Sequence, residues 1–408
     1  MTRPVYMDYH ATTPVDPRVV EAMMPYFTER FGNAASRSHV FGWEAAEAVE
    51  QARDEVAQLI GAAAAEIVFT SGATESNNLA IKGAVAGGAR KRRPHVVTCA
   101  TEHKSVLEVC RRLERHGVAD LTVLPVDGTG RLVAEQVGEA LRGDTVLVTI
   151  MLANNEIGVL QPLAEIGAIT RQHGCLLHTD ATQAAGRFPV DVDGLGVDLL
   201  SLSAHKVYGP KGVGALYVRR RRPRIDLLPL QDGGDQERGV RAGTINVPGV
   251  VGFGAACRIA GEELQQEPAR LSRLRDRLEN GILSGLAGVT VNGHQAHRLP
   301  NNSNLSFGGV EGESLLISLP EIALSSGSAC SSTTSSPSHV LKAMGLDNDA
   351  AIASLRFGLG RWTSVEQVDF AIEKVVAAVT KLRRNSPSWA AMRSVRRGHE
   401  RLETKELA

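Results

Sequence analysis

Between residues 67 and 218 the chain alternates short apolar runs with stretches of helical periodicity, and this alternation restricts the fold more than any other feature. Strand patterns fall at 67–70, 96–100, 121–124, 146–152, 176–179, 199–203 and 215–218. Helical spacing fills gaps between them, at 75–85, 105–115, 134–141 and 163–173. Strands alternating with helices predict an α/β fold with a mostly parallel mixed sheet flanked by helices. Upstream, Asp16-Pro17 starts a helix carrying Val20, Met23, Met24 and Phe27 toward Gly32, and a second helix spans 44–60. Beyond about Pro248 the pattern changes to helices at 250–265 and 268–283, a strand at 303–307, a helix at 314–319, a strand at 355–359 and a helix at 365–382. That order predicts a second, smaller α+β domain. The expected division is a large domain over 15–255, a small domain over 1–14 and 256–385, and a polar tail over 386–408.

Open α/β sheets bind ligands beyond the carboxyl ends of their strands, and here five predicted strand ends run into polar residues. They are Ser71-Gly72-Ala73-Thr74-Glu75, Thr101-Glu102-His103, Asn154-Asn155-Glu156, Asp180-Ala181-Thr182-Gln183 and Ala204-His205-Lys206. Each alone reads as an ordinary turn, helix cap or surface histidine; their delivery to one edge is what carries weight. The Ser71 to Glu75 segment, between strand and helix, suits a phosphate. It lacks the GxGxxG and GxxxxGK[ST] patterns of dinucleotide and nucleoside triphosphate sites. Lys206 and Asp180 are the pair that pyridoxal phosphate (PLP) requires, a lysine for its Schiff base and an acid against its pyridine nitrogen. His103 is expected to stack on the ring, and Asn155 and Gln183 to hydrogen-bond its phenolic oxygen.

With these motifs in order, the chain resembles the cysteine desulfurases of the housekeeping iron–sulfur-cluster type, in the class-V aminotransferase group of PLP fold-type I. The carrying segments are TSGATESNN (70–78), TEHK (101–104), NNEIG (154–158), HTDATQ (178–183), SAHKVYGPKG (203–212), ERGVRAGT (237–244), SSGSAC (325–330) and LRFGLGR (355–361), and the resemblance runs from Tyr6 to about Arg383. It implies that Lys206 carries PLP, that Asp180 holds the pyridinium, and that Ala73, Thr74, Ser203 and His205 hold the phosphate. Thr244 would reach the phosphate of the other subunit's site, which implies a homodimer. Asn33, Asn155 and Arg356 would hold the substrate carboxylate. The implied reaction converts L-cysteine to L-alanine, with Lys206 moving the Cα proton, His103 as acid–base partner near the sulfur, and Cys330 taking the sulfur as a persulfide. That sulfur would pass to an iron–sulfur scaffold protein or another acceptor, serving clusters and tRNA thiolation, with Cys330 a ligand to a cluster in transit. Two segments depart from the family pattern, Asn33-Ala34-Ala35-Ser36 for Asn-Pro-Ala-Ser and Asp232-Gly233-Gly234-Asp235 for His-Gly-Gly-Gly.

Residues 325–338, SSGSACSSTTSSPS, have little to bury, a composition suited to a mobile, function-bearing loop. Cys99, Cys110, Cys175 and Cys257 sit in apolar or helical contexts and read as structural. Five scattered cysteines predict reduced thiols in a cytoplasmic protein. Lys+Arg and Asp+Glu balance at 45 each, so the basic runs 90–93 and 219–222 read as solvated surface and no direct nucleic-acid binding is expected. No membrane span and no metal site are expected; Cys175 and His178 lack a second pair. The N-terminal residues 1–17 do not read as a secretory signal. Trp389 and Met392, among basic residues of the tail, suggest a short docking helix. Two alternatives remain open: an aminotransferase or lyase that leaves its substrate's sulfur in place, against which Cys330 argues, and a non-catalytic subunit, against which Lys206, Asp180 and Arg356 together argue.

Overall fold

The computed structural model describes residues 3–88, 93–221, 225, 227–326, 336–387 and 389–390. Cys330, Met392, Arg90, Lys91, Arg92 and Arg222 lie outside the described residues. The strands are β1 (Val5–Tyr6), β2 (Ile67–Thr70), β3 (His95–Cys99), β4 (Asp120–Leu124), β5 (Thr145–Thr149), β6 (Leu176–Asp180), β7 (Leu199–Ser203), β8 (Gly214–Val218), β9 (Val289–Val291), β10 (Asn302–Phe307), β11 (Ile322–Ala323), β12 (Ser325–Ser326) and β13 (Ser354–Gly358). Seven of them form the expected mixed sheet, in the order β2-β8-β7-β6-β5-β3-β4. It is parallel except at β8, which runs antiparallel to both β2 and β7. β3, β7 and most of β8 are buried, as a parallel sheet covered on both faces requires.

The helices follow the 3.6-residue period, but their ends differ from the expectation for physical reasons. The helix starting at Pro17 is capped by Asp16, which accepts from the Arg18 N–H, and it stops at Met23. Pro25 brings no N–H to continue it, so a separate turn, Pro25–Thr28, follows. The strand expected over 146–152 ends at Thr149, because the Met151 N–H turns aside to the Glu102 carboxyl at 2.6 Å.

A four-stranded antiparallel sheet, β12-β13-β10-β9, packs with helices Glu267–Gly285 and Val365–Arg384 around a separate apolar core of Leu278, Phe307, Phe357 and Val375. Trp389, half-buried, packs back on the small domain. The Arg383 guanidinium lies 3.8 Å from its ring centroid, and its ring fills the space beside Gly288 and Gly309. Among the described residues no helix is long and apolar enough to cross a membrane.

One buried ion pair fixes the segment that crosses the β2 edge. Arg53 donates to both Glu237 oxygens at 2.8 Å and to the Ile67 carbonyl at 2.9 Å, while Glu237 also accepts the Phe69 N–H at 2.8 Å. Glu237 and Arg238 hold positive φ angles of 46° and 59°, a conformation that non-glycine residues adopt only when their surroundings enforce it. Removing Glu237 leaves the Phe69 N–H without this acceptor and the buried Arg53 with only the exposed Glu50, at 3.1 Å, as an ion partner. Glu237→Ala is therefore expected to lower the unfolding free energy by about 3–5 kcal/mol in urea titrations; a loss below about 1 kcal/mol would mean the pair is not what holds this turn.

Candidate active site

The strand ends converge on a cavity of about 590 Å³ at the carboxyl edge of the seven-stranded sheet. Its walls include Ala73, Thr74, His103, Asn155, Asp180, Gln183, Ser203, His205, Lys206 and Arg356, all expected from the sequence. Asn33 and Thr244 are exposed and lie outside the walls that this single chain supplies. His10, Thr12, Ser105 and Lys211 join the walls without having been singled out. The sequence signal for His10 was present, since the segment around it carries the resemblance, but nothing local assigns it a task.

Lys206 ends the short turn Ala204–Lys206 that follows β7. Its amine donates to the carbonyls of His10 at 2.5 Å and Ala11 at 2.6 Å. Enclosure of the amine, reinforced by the guanidiniums of Arg356 and Arg187, brings its pKa down to about 7. A large part of the lysine population is then a neutral nucleophile near neutral pH. Asp180, at the end of β6, is buried, and its two oxygens accept from Asn77 Nδ2 at 2.8 Å and the Thr182 N–H at 3.0 Å.

Gly72 stands where β2 turns into helix Ala73–Gly87, with φ +146°, a region open to glycine. No side chain caps this helix, so its first N–H groups are free to meet an anion beside Thr74, Ser203 and His205. Burial, then the charges of Lys206 and Lys211, hold the His205 imidazole neutral with a pKa near about 4. Its Nδ1 lies 3.1 Å from Thr12 Oγ1.

His103 caps helix Lys104–Arg115: its Nδ1 accepts the Ser105 N–H at 3.1 Å. A backbone N–H can only donate, so the neutral ring carries its proton on Nε2. Burial pushes this imidazole below its ordinary range. Arg356, in the middle of β13, donates to the Asn155 carbonyl at 2.9 Å and pairs with Asp8 at 2.7 Å, while its Nε is buried without a partner. The arrangement brings an anion cradle, a nucleophilic amine, an acid and a guanidinium fork into one cavity.

The aminotransferase class-V family matches residues 5–370. A cysteine desulfurase IscS of Anaeromyxobacter sp. (strain Fw109-5) is 58% identical over 387 residues, 95% of each chain. The human cysteine desulfurase is 52% identical, covering 95% of this chain and 84% of its own. Among solved structures, a NifS-like protein superposes with a TM-score of 0.85 at 38% identity, covering 93% of this chain and 100% of its own.

The lowered Lys206 pKa has a direct consequence. In cofactor-free protein, the rate at which Lys206 is acylated should rise through pH 7 and plateau well below the range of an ordinary lysine. Peptide mapping after pulses of an acylating reagent reads this; a midpoint near about 10 would show that the amine is not desolvated.

Proposed function

The chain belongs to the class-V aminotransferase family and, within it, to the cysteine desulfurases, and on that premise we propose that its cavity binds PLP on Lys206 and that sulfur from L-cysteine is handed to Cys330. The observation that carries this reading is the meeting, in one cavity, of a depressed-pKa lysine, a buried aspartate and an uncapped helix N-terminus. The donor set fits the group chemically. Bare N–H groups with Thr74, Ser203 and His205 suit a phosphate, and Asp180 suits a pyridinium. Thr182 Oγ1 and Asn77 Oδ1 are buried without partners, as expected of polar atoms awaiting a polar ligand.

Bound PLP would supply an electron sink that makes the Cα proton of an amino acid removable. The protein's own groups do the rest. Asp180, its oxygens fixed by Asn77 and Thr182, keeps the pyridine nitrogen protonated. Arg356 and Asn155, joined by Asn33, orient the substrate carboxylate by charge-assisted hydrogen bonds. The neutral Lys206 amine takes the Cα proton and returns it. His103, with its proton on Nε2, is the donor beside the substrate sulfur.

Elimination supports Cys330 as acceptor. The other four cysteines are buried. Burial raises the Cys99 and Cys110 thiols to about 12 and lifts the Cys257 thiol well above its ordinary value, so none of these three offers a usable thiolate. Both flanks of the segment bearing Cys330 meet the cavity wall: Ser325 is the register partner of Arg356, and the Ser338 hydroxyl donates to Glu156, next to Asn155, at 2.5 Å. Cys330 lies four residues beyond Ser326, a reach of about 14 Å at full extension.

A homodimer belongs to the same proposal. Met24, Phe27, Phe31, Val40, Phe41 and Trp43 are exposed large apolar side chains within one stretch of chain, the kind of surface a partner subunit would cover. Asn33 lies in that stretch and Thr244 is exposed, as residues serving a site shared between subunits would be. We also propose the two-domain division, with its boundary moved from the expected 255/256 to the break between helices near 264–266, because Ile259 still packs in the large core and Leu271 in the small one. The acceptor is a thiol of a scaffold or carrier protein, in a cytoplasmic setting that keeps these cysteines reduced.

Two tests follow. With L-cysteine and a reductant, the wild type should release alanine and sulfide in equal amounts, and Cys330→Ala should make almost none while remaining yellow. An equally active variant would return the chain to the aminotransferase or lyase reading. Arg356→Lys should raise KM for L-cysteine about ten-fold or more; an unchanged KM would remove Arg356 from the substrate.

A further inference from the structure

His10 is buried, lines the cavity, and belongs to no role assigned above. Its backbone carbonyl accepts both Lys206 Nζ at 2.5 Å and Gln183 Nε2 at 2.9 Å, which uses both lone pairs. Its ring returns to the same glutamine, with Nδ1 2.9 Å from Gln183 Oε1. These two contacts determine each other's polarity. A carbonyl can only accept, so the glutamine atom facing the His10 carbonyl is the amide nitrogen. The atom facing Nδ1 is then the amide oxygen, which also only accepts, so Nδ1 carries the ring proton.

We infer that His10 is a positioning residue of this site: it locks Gln183 so that the amide nitrogen, and not the oxygen, is left to donate into the cavity. One N–H of that nitrogen is held by the His10 carbonyl, and among the described residues no protein group takes the second. The inference rests on the reading that the cavity takes PLP, whose phenolic oxygen is the acceptor to be met.

The surroundings enforce the same polarity. Burial, the Arg356 and Arg187 guanidiniums and the Lys206 amine all oppose a charged imidazole, while only the bond to Gln183 favours one. The ring therefore stays neutral through the physiological range, and a locked orientation cannot be undone by protonation. Among the described residues, His10 Nε2, left as a bare lone pair, is buried without a partner, and so are Arg356 Nε and all three nitrogens of Arg187. An acceptor is the only form of this ring compatible with neighbours that can only donate. Nor can the ring turn freely, since even a Cβ added at Gly358 would come within 2.8 Å of its Cδ2.

An amide donor at a phenolic oxygen favours the deprotonated phenolate, whereas an amide oxygen there would disfavour it. His10 thus acts through Gln183 on the proton affinity of the bound chromophore. His10→Leu removes the Nδ1 donor and leaves only the backbone carbonyl of residue 10 to hold the amide, so the Gln183 donor is loosened and the pH midpoint of the PLP-bound colour should rise by about one unit, a ten-fold gain in proton affinity. His10→Asn keeps a donor near the Nδ1 position and should restore the wild-type midpoint. Thermal unfolding of each variant separates this from general damage, because a merely structural role would lower Tm and leave the midpoint in place.

The second measurement needs no cofactor. In PLP-free protein labelled with ¹⁵N-histidine, one ring, identified by its loss in His10→Asn, should carry its proton on Nδ1 and not titrate between pH 6 and 8. An Nε2-protonated ring, or an unchanged colour midpoint in a folded His10→Leu, overturns the inference. Failure of the chain to bind PLP would instead overturn the functional reading, and the nitrogen spectrum would still decide the polarity of the His10–Gln183 pair.

Discussion

The enclosed amine of Lys206, donating to the carbonyls of His10 and Ala11, joins the end of β7 to the N-terminal strand of chain, and the rest of the site is arranged around that joint. The segment from Val5 to Asp16 touches everything that matters. β1 pairs in parallel with β11, Asp8 bridges to Gly358, and Asp8 also takes the Arg356 guanidinium. Further on, Thr13 bonds the His205 carbonyl through both its N–H and its hydroxyl, and its Oγ1 accepts the Tyr208 N–H. One short segment therefore bonds the small sheet and the large sheet together. It works beside the bonds that Asn302, Asn304, Ser338 and Arg356 make to the Asn155–Glu156 turn, and together these hold Arg356 and Lys206 across one cavity.

The electrostatics of the cavity follow from this arrangement. Lys206, Arg356 and Arg187 are cations packed near one another in a poorly solvated space, and their mutual repulsion adds to burial in lowering the Lys206 pKa. Asp8 and Asp180 offset only part of it, and all three nitrogens of Arg187 remain without a hydrogen-bond partner. A site with this excess positive charge is organised for anions, as the proposed phosphorylated cofactor and amino acid carboxylate would be. The same field explains why the histidines of the site are neutral: His10, His103 and His205 are all pushed below their ordinary range, with burial the first cause in each. They serve as fixed donors and acceptors, which suits residues whose job is orientation.

What could be read in advance divides along the same physical line. β2 and β7 fall where the apolar runs end because a strand buried on both faces is a short, sharply bounded hydrophobic segment, and chain order alone then delivers Asp180, His205 and Lys206 to one edge. Two-residue strands such as β1, β11 and β12 carry no period to detect, and their pairing exists only through long-range packing. The break at Pro25 was legible as a missing N–H, but the apolar spacing through Phe27 ran across it. Asp8, His10 and Asn77 come from outside the strand ends, so no motif logic based on strand ends could reach them. Asn33 and Thr244 show the other limit: both are exposed in the single chain, where pattern alone cannot say which surface a second subunit would complete.

The cysteines complete the reasoning by what burial forbids. A thiol that accepts sulfur must exist as thiolate, and an apolar surround removes that form; this is the state of Cys99, Cys110 and Cys257. A desulfurase therefore cannot place its acceptor in the well-packed part of the fold that positions the cofactor. It needs the thiol on a segment with little to bury, yet with ends fixed close to the substrate. The bonds at Ser325, beside Arg356 and to Asp8, and at Ser338, to Glu156, meet the second requirement from both sides. The composition of residues 325–338 meets the first. On the proposed reading, rigid sheet edges would hold the reacting carbon while a polar segment carries the sulfur, and neither task could be moved to the other's residues without losing the thiolate or the alignment.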